Sequence, residues 1–216
     1  PIIIKKNKYY DEIKVRGQKM FRSFKYKIPS DPSSCAFFIV LTLLSKNCEL
    51  KIKNVNINET RIGYIRILNK MGAKIKIKNV KKIYGEKQAD ISVKSQSALK
   101  KINCSPSLNS NLIDEFLIIF LAAAKAKGVS SFSRLGELNK KESPRLKLGS
   151  KLLNKLGVKT RLTKDSIKIF GNPNLNLSKT IKINNYHKDH RIFMTSVIAA
   201  YTFGGKWKID DVSSYK

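Results

Sequence analysis

The sequence predicts an α/β fold assembled from repeated units, and three observations carry that prediction. First, Leu68-Asn69-Lys70-Met71-Gly72-Ala73-Lys74 returns 85 residues later as Leu153-Asn154-Lys155-Leu156-Gly157-Val158-Lys159. In both copies an amphipathic helical pattern runs into a glycine and then into alternating apolar and polar residues. That is how a helix ends on a left-handed residue and hands over to a strand. Second, a cassette of acidic residue, apolar helix, turn and short strand starts at Asp31, Asp114 and Asp189. Third, helices alternate with strands at a period of 75 to 85 residues, which indicates helices layered on sheets with internal pseudo-symmetry.

Taken in order, residues 1–29 hold two or three strands, at 2–4, 13–15 and 24–28, and no helix. They read as the end of a preceding unit, with a domain boundary at Pro29-Ser30 and a second domain over 30–216. Asp31-Pro32-Ser33-Ser34 opens a helix to about residue 44, followed by a strand at 49–53. Asp114-Glu115 opens a helix to about residue 127, and Gly128 leads into a strand at 129–132. Ser143 as N-cap and Pro144 in the first turn start the helix that ends at Gly157. Asp189-His190-Arg191 opens a helix to about residue 201, and Gly204-Gly205 lead into Trp207-Lys208-Ile209. From residue 30 onward this amounts to about two and a half β-α-β-α-β-β units. The apolar run already under way at Ile2 and the stop at Lys216, directly after a strand, read as cuts, so the chain is expected to be a fragment.

Composition narrows the function. Hydrophobic residues make up 42%, enough for a packed core rather than a disordered tail. The formal net charge is +29, which raises nucleic-acid binding. However, the lysines are dispersed and alternate with Ile, Val and Leu, as in Lys51-Ile52-Lys53 and Lys74-Ile75-Lys76-Ile77-Lys78. This is the outer face of half-buried strands, and a field that steers small anions is the better account. Residues 35–44 and 116–124 are the longest uncharged apolar stretches, far short of the ~20 residues that span a bilayer. Cys35, Cys48 and Cys104 have no metal spacing and suit a reducing cytoplasm.

Four motifs carry a family resemblance. Ser30-Asp31-Pro32-Ser33-Ser34-Cys35-Ala36-Phe37-Phe38 resembles a G-D-x-S-S-A-x-F hinge segment, and Ile113-Asp114-Glu115 an I-D-E segment. Lys141-Glu142-Ser143-Pro144-Arg145 resembles K-E-S/T-D-R, and Asp189-His190-Arg191-Ile192-Phe193-Met194 resembles D-H-R-x-A-M. All four belong to the 5-enolpyruvylshikimate-3-phosphate synthases, and here they occur in the family's order and in phase with the repeat. Pro144 stands for the usual Asp and Ser30 for a hinge Gly.

The resemblance implies an inverse α/β barrel of two domains, each with three β-α-β-α-β-β units about a pseudo-threefold axis. This chain would hold one domain and the end of the other. The implied reaction moves the enolpyruvyl group from phosphoenolpyruvate to the 5-hydroxyl of shikimate-3-phosphate, releasing phosphate, on the route to aromatic amino acids. It implies a cytoplasmic enzyme, monomeric at full length, with no metal or organic cofactor, no nucleic acid and no membrane. The family's N-terminal binding groups are absent from this chain, so the chain alone is expected to be inactive.

By resemblance Asp114 is the base for the hydroxyl, and Glu142 donates a proton to C3 and takes it back during elimination. For the latter, burial or crowding by Asp114 would have to favour its protonated form. Lys141 would contact shikimate-3-phosphate, Arg145 and Arg191 the phosphoenolpyruvate anion, and His190 would line the same pocket. Lys216, 26 residues beyond His190, matches a substrate-binding lysine. Blander roles stand beside each of these. Asp114 fits an N-cap, Glu142 a carboxylate in a first helical turn, His190 a structural histidine, and the cations solvated surface groups. Two other functions stay open at this level: the related transferase acting on UDP-N-acetylglucosamine, and a non-catalytic basic module that binds nucleic acid.

Overall fold

The computed structural model describes residues 2–17, 20, 23–96 and 98–210. Lys216 lies outside them. A short antiparallel pair, β1 (Ile2–Lys6) and β2 (Asp11–Val15), comes first. Residues 24–28, expected as a strand, form none among the described residues. The segment is tied down by its side chain and carbonyl instead: the Tyr26 ring packs against Tyr84 at a 60° tilt with centroids 5.3 Å apart, and the Tyr84 hydroxyl donates to the Lys25 carbonyl.

The predicted unit then appears. Ser30 bridges Val55 in parallel, α1 (Pro32–Leu44) leads into β3 (Glu49–Asn56), and α2 (Gly63–Lys70) leads into β4 (Lys76–Ile83) and β5 (Glu86–Lys94). The strands lie in the order β3-β5-β4, all antiparallel. The second unit repeats it: β6 (Leu99–Lys100), α3 (Phe116–Ala124), β7 (Ala126–Phe132), α4 (Arg145–Lys155), β8 (Thr160–Leu162) and β9 (Ile167–Gly171). Its order is β6-β7-β9-β8, with β6 parallel to β7. The third begins the pattern again with β10 (Leu177–Ile183), α5 (His190–Thr202) and β11 (Gly204–Ile209), the two strands parallel. The repeat and its β-α-β-α-β-β order are therefore as the sequence predicts.

Local chemistry explains the elements. Asp31 caps α1 by accepting from the Ser34 backbone N–H at 2.7 Å, with Pro32 in the first turn. Gly72 and Gly157 close α2 and α4 with φ of +97° and +79°, a region where a Cβ is unfavourable. Helix α3 ends at Ala124 rather than near residue 127. Leu99 and Lys100 claim Ala126 and Lys127 as parallel partners, so β7 begins at Ala126, three residues before the expected start at Val129.

The helices divide into two kinds. All nine residues of α3 are buried, and α1, α3 and α5 pack on one another as the central layer. The two longest uncharged apolar runs of the sequence lie in these core helices, and no single helix among the described residues is long and apolar enough to cross a membrane. Helices α2 and α4 are amphipathic and lie outside them, while Phe116, Phe120 and Phe132 fasten α3 to β7 with ring centroids 5.1 to 6.1 Å apart. On β3 exposure alternates, with Lys51 and Lys53 outward as expected; β4 is exposed on both faces because it is the edge strand.

Gly171 is the tightest crossing. A Cβ there would stand 2.2 Å from the Ala126 carbonyl oxygen and 2.4 Å from that of Ala123. We expect Gly171→Ala to destabilise the fold by about 3 kcal/mol, because backbone must move to admit the methyl. Gly72→Ala, strained only in φ, is expected to cost about 1–2 kcal/mol. Urea unfolding of the two variants checks the ranking.

Candidate active site

The central helices bring their N-terminal ends together. Ser33 at the start of α1 lies near the Glu115 carboxylate ahead of α3, and Arg191 in the first turn of α5 donates to the Asp114 carbonyl at 3.0 Å. The opposite ends also meet: Lys125, just past α3, donates to the carbonyl of Thr202, the last residue of α5. Three helix N-termini, each with partial positive charge, therefore converge on one face.

Arg145 is the centre of that face. Its side chain is 1% exposed and its fork engages three carboxylates. Nε donates to Asp189 Oδ2 at 2.9 Å and Nη2 to Asp189 Oδ1 at 3.4 Å. Nη1 donates to Asp114 Oδ1 at 3.2 Å, and Nη2 to Glu142 Oε2 at 2.5 Å. Asp189, whose side chain is fully enclosed, also accepts from the Ser143 hydroxyl at 2.6 Å and from the Arg191 backbone N–H at 2.9 Å. Every part of this buried pair is hydrogen-bonded, which is what a buried ion pair requires. The chain enters Asp189 through Asn185, His187 and Lys188, all with φ between 52° and 58°. Left-handed residues without glycine cost about 1–2 kcal/mol each, so Asp189 is placed by a strained turn.

Of the residues singled out in the sequence, Asp114, Lys141, Glu142, Arg145 and Arg191 are brought together. Lys141 Nζ lies 3.3 Å from Asp114 Oδ1. Asp114 does not cap α3, because Glu115 occupies the cap position; its carboxylate turns to Arg145 and Lys141. Ser143 is not the N-cap of α4 either, since Pro144 holds that position and the Ser143 hydroxyl is spent on Asp189. The burial expected for Glu142 is not found: its side chain is 57% exposed, on the outer edge of the Arg145 fork. Arg145, expected to meet an anion directly, is enclosed by carboxylates. His190 is exposed at the start of α5 beside the cluster.

The sequence did not assign Asp189 its part as the inner partner of Arg145, although the D-H-R motif marks the position. It gave no signal for Glu115, 2% exposed, with Oε1 free of any hydrogen bond. Burial raises the Glu115 carboxyl above its ordinary range, against the opposing influence of Ser33 and the charge of Arg191. Asp114 goes the other way. Burial alone would raise it, but Arg191, Lys141 and Arg145 outweigh burial and hold it below the usual carboxylate range. Asp189 is likewise lowered, its burial overcome by the hydrogen bonds and charge of Arg145 and by Ser143. Two carboxylates one residue apart are thus driven in opposite directions. Chemically, the face offers an ionised acceptor in Asp114, an ammonium in Lys141, and an exposed carboxylate in Glu142 whose partner is a fork suited to carboxylate or phosphate.

This architecture is shared. The enolpyruvyl transferase NikO from Streptomyces tendae superposes with a TM-score of 0.62 over 87% of this chain and 40% of its own, at 13% identity, which defines the class of fold. The EPSP synthase of Acinetobacter baumannii superposes with a TM-score of 0.86 over 98% of this chain and 48% of its own, at 30% identity. The family model for EPSP synthase (3-phosphoshikimate 1-carboxyvinyltransferase) matches residues 2–216, and the chain belongs to that family. The 3-phosphoshikimate 1-carboxyvinyltransferase of Zymomonas mobilis is 37% identical over 201 residues, 92% of this chain and 44% of its own length. That of Thermodesulfovibrio yellowstonii is 40% identical over 191 residues, 88% of this chain and 43% of its own. The chain spans a little under half the length of the curated relatives it matches.

The pairing has a measurable consequence. Arg145→Met strips the buried Asp189 of its counter-charge and is expected to cost about 3–5 kcal/mol. Combining it with Asp189→Asn should recover part of that loss. Because Asp189 and Asp114 are lowered in the fold, their stabilisation is present above the unfolded carboxylate range. It is lost as the pH falls through their folded values, below about pH 4. Denaturation as a function of pH checks both expectations, and Asp189→Asn should flatten the acid limb.

Proposed function

We propose that this chain supplies the C-terminal half of the site of an enzyme that transfers the enolpyruvyl group of phosphoenolpyruvate to the 5-hydroxyl of shikimate-3-phosphate. The observation that carries the reading is the single chain of contacts linking Lys141, Asp114, Arg145 and Glu142 on an open face, in a chain of the EPSP synthase family.

In this reading Asp114, kept ionised by its cations, accepts the hydroxyl proton as the 5-oxygen attacks C2. Glu142, once released from the fork and protonated from solvent, gives that proton to C3 as the C2–C3 π pair moves there. In the second step Glu142 takes back a proton from C3, the double bond re-forms, and the C2–oxygen bond breaks, with phosphate leaving with the electron pair. Lys141 holds shikimate-3-phosphate. Arg191 and the Arg145 fork hold the phosphoenolpyruvate anion, whose carboxylate displaces Glu142 from the fork and frees it to act at C3. His190 borders the same pocket, and Lys216 is assigned to substrate by its motif position alone. All of these groups act without a metal or organic cofactor, and the other half of the site comes from the part of the family's length that this chain does not span.

Co-expression with the N-terminal part of the Zymomonas mobilis relative, the part this chain leaves uncovered, is the test. The folded complex, given both substrates, should release phosphate. Glu142→Gln should lower that rate by about 10²-fold or more without loss of folding. A folded complex with no turnover, or an unaffected Glu142→Gln variant, overturns the assignment.

A further inference from the structure

Glu115 is the buried titratable group that the proposed chemistry leaves unused. Its carboxylate is enclosed where α1, α2, α3 and α5 meet. Arg191 Nη1 lies 3.8 Å from Oε1, too far for a hydrogen bond. Ser33 on α1 stands near enough to favour the ionised carboxylate. Arg61, ahead of α2, donates to the Ser33 hydroxyl at 2.8 Å and reaches Glu115 through charge alone. Tyr64 on α2, fully buried with its hydroxyl unpartnered, faces the same carboxylate electrostatically, and Asp114 is its acidic neighbour in the chain.

A buried carboxylate with one unfilled oxygen works against folding. Two guanidinium groups stand near it, yet neither closes on it, and Arg191 spends its Nη1 on the Asp114 carbonyl instead. The arrangement therefore sets a negative charge behind Arg191 in a loose ion pair, 3.8 Å apart and without a hydrogen bond.

We propose that Glu115 is a positioning residue that governs, through Arg191, how tightly the helix-terminus face holds an anion. This deepens the reading of Arg191 as an anion-binding group and rests on it. When Glu115 is ionised, its charge offsets that of Arg191 and weakens the hold on a phosphate- or carboxylate-bearing ligand. When it takes a proton, Arg191 acts with its full charge. Linkage makes the effect reciprocal: an anion arriving at Arg191 draws a proton onto Glu115. The sign follows from the raised carboxyl: the protonated form is held to higher pH in the fold than in a free glutamate, and anion affinity falls as the pH rises through that transition.

Sulfate, which stays a dianion above about pH 3, is the probe, and calorimetry of the purified chain is the measurement. Sulfate binding should strengthen as the pH is lowered from 8 to 5 and be accompanied by uptake of up to one proton, read from titrations in buffers of different ionisation heat. Glu115→Gln should bind sulfate about 5-fold or more tightly at neutral pH and lose that proton uptake. Should the variant not fold, carboxyl-carbon NMR of the unaltered chain gives the same answer, since one buried glutamate should titrate at higher pH with sulfate than without. Uptake that persists in Glu115→Gln overturns the proposal, and so does a carboxyl titration that sulfate leaves unmoved. Arg191→Ala tests the underlying reading separately. If sulfate binding is unchanged by it, Arg191 is not the anion group; if binding is lost while Glu115→Gln has no effect, only the part given to Glu115 fails.

Discussion

The burial of one guanidinium constrains this site more than any other interaction. Arg145 is enclosed, and a charge without solvent must be matched group by group. The matching groups come from three places: Asp114 ahead of α3, Asp189 at the cap of α5, and the loop before α4, which supplies Glu142 and, through Asp189, the Ser143 hydroxyl. Asp189 and its Ser143 partner, both buried, could not shift by an ångström without opening a buried charge, whereas Glu142 closes the solvent side of the fork. The fork is thus a gauge that sets how far apart two core helices and the loop before α4 can sit. The groups offered to solvent, Lys141, Asp114 and Glu142, inherit their spacing from it.

Much of the fold was legible in the sequence because its signals are local. The Gly72 and Gly157 helix ends, the Asp31 and Asp189 caps and the alternation on β3 each need only a few neighbouring residues. What failed needed partners far away in the chain. Residues 24–28 alternate like a strand, but a strand exists only when something pairs with it. The end of α3 depended on Leu99 and Lys100, more than twenty residues earlier, taking Ala126 and Lys127 as ladder partners.

The same division runs through the site. Motif order named Asp114, Lys141, Glu142, Arg145 and Arg191, and the fold gathers them. Their relations were not legible, because an N-cap and an ion-pair partner are the same residue type in the same place. Asp114 and Ser143 both fit helix caps by pattern, yet both side chains serve Arg145 or its partner. Glu115 was invisible for a further reason. An acidic residue at a helix start is ordinary in sequence, and only three-dimensional burial with an unfilled oxygen makes it unusual.

The closed central layer also limits how such a chain can grow. In open solenoids each repeat touches only its neighbours, and copies can be added or removed at the ends. Here α1, α3 and α5 each pack against the other two, so every unit contributes one wall of a shared interior. A further copy would have to displace one of these helices from that interior, and the loss of one would leave the other two with an open seam. Duplication in this architecture therefore has to proceed by whole domains, with copy number within a domain fixed by geometric closure rather than by length.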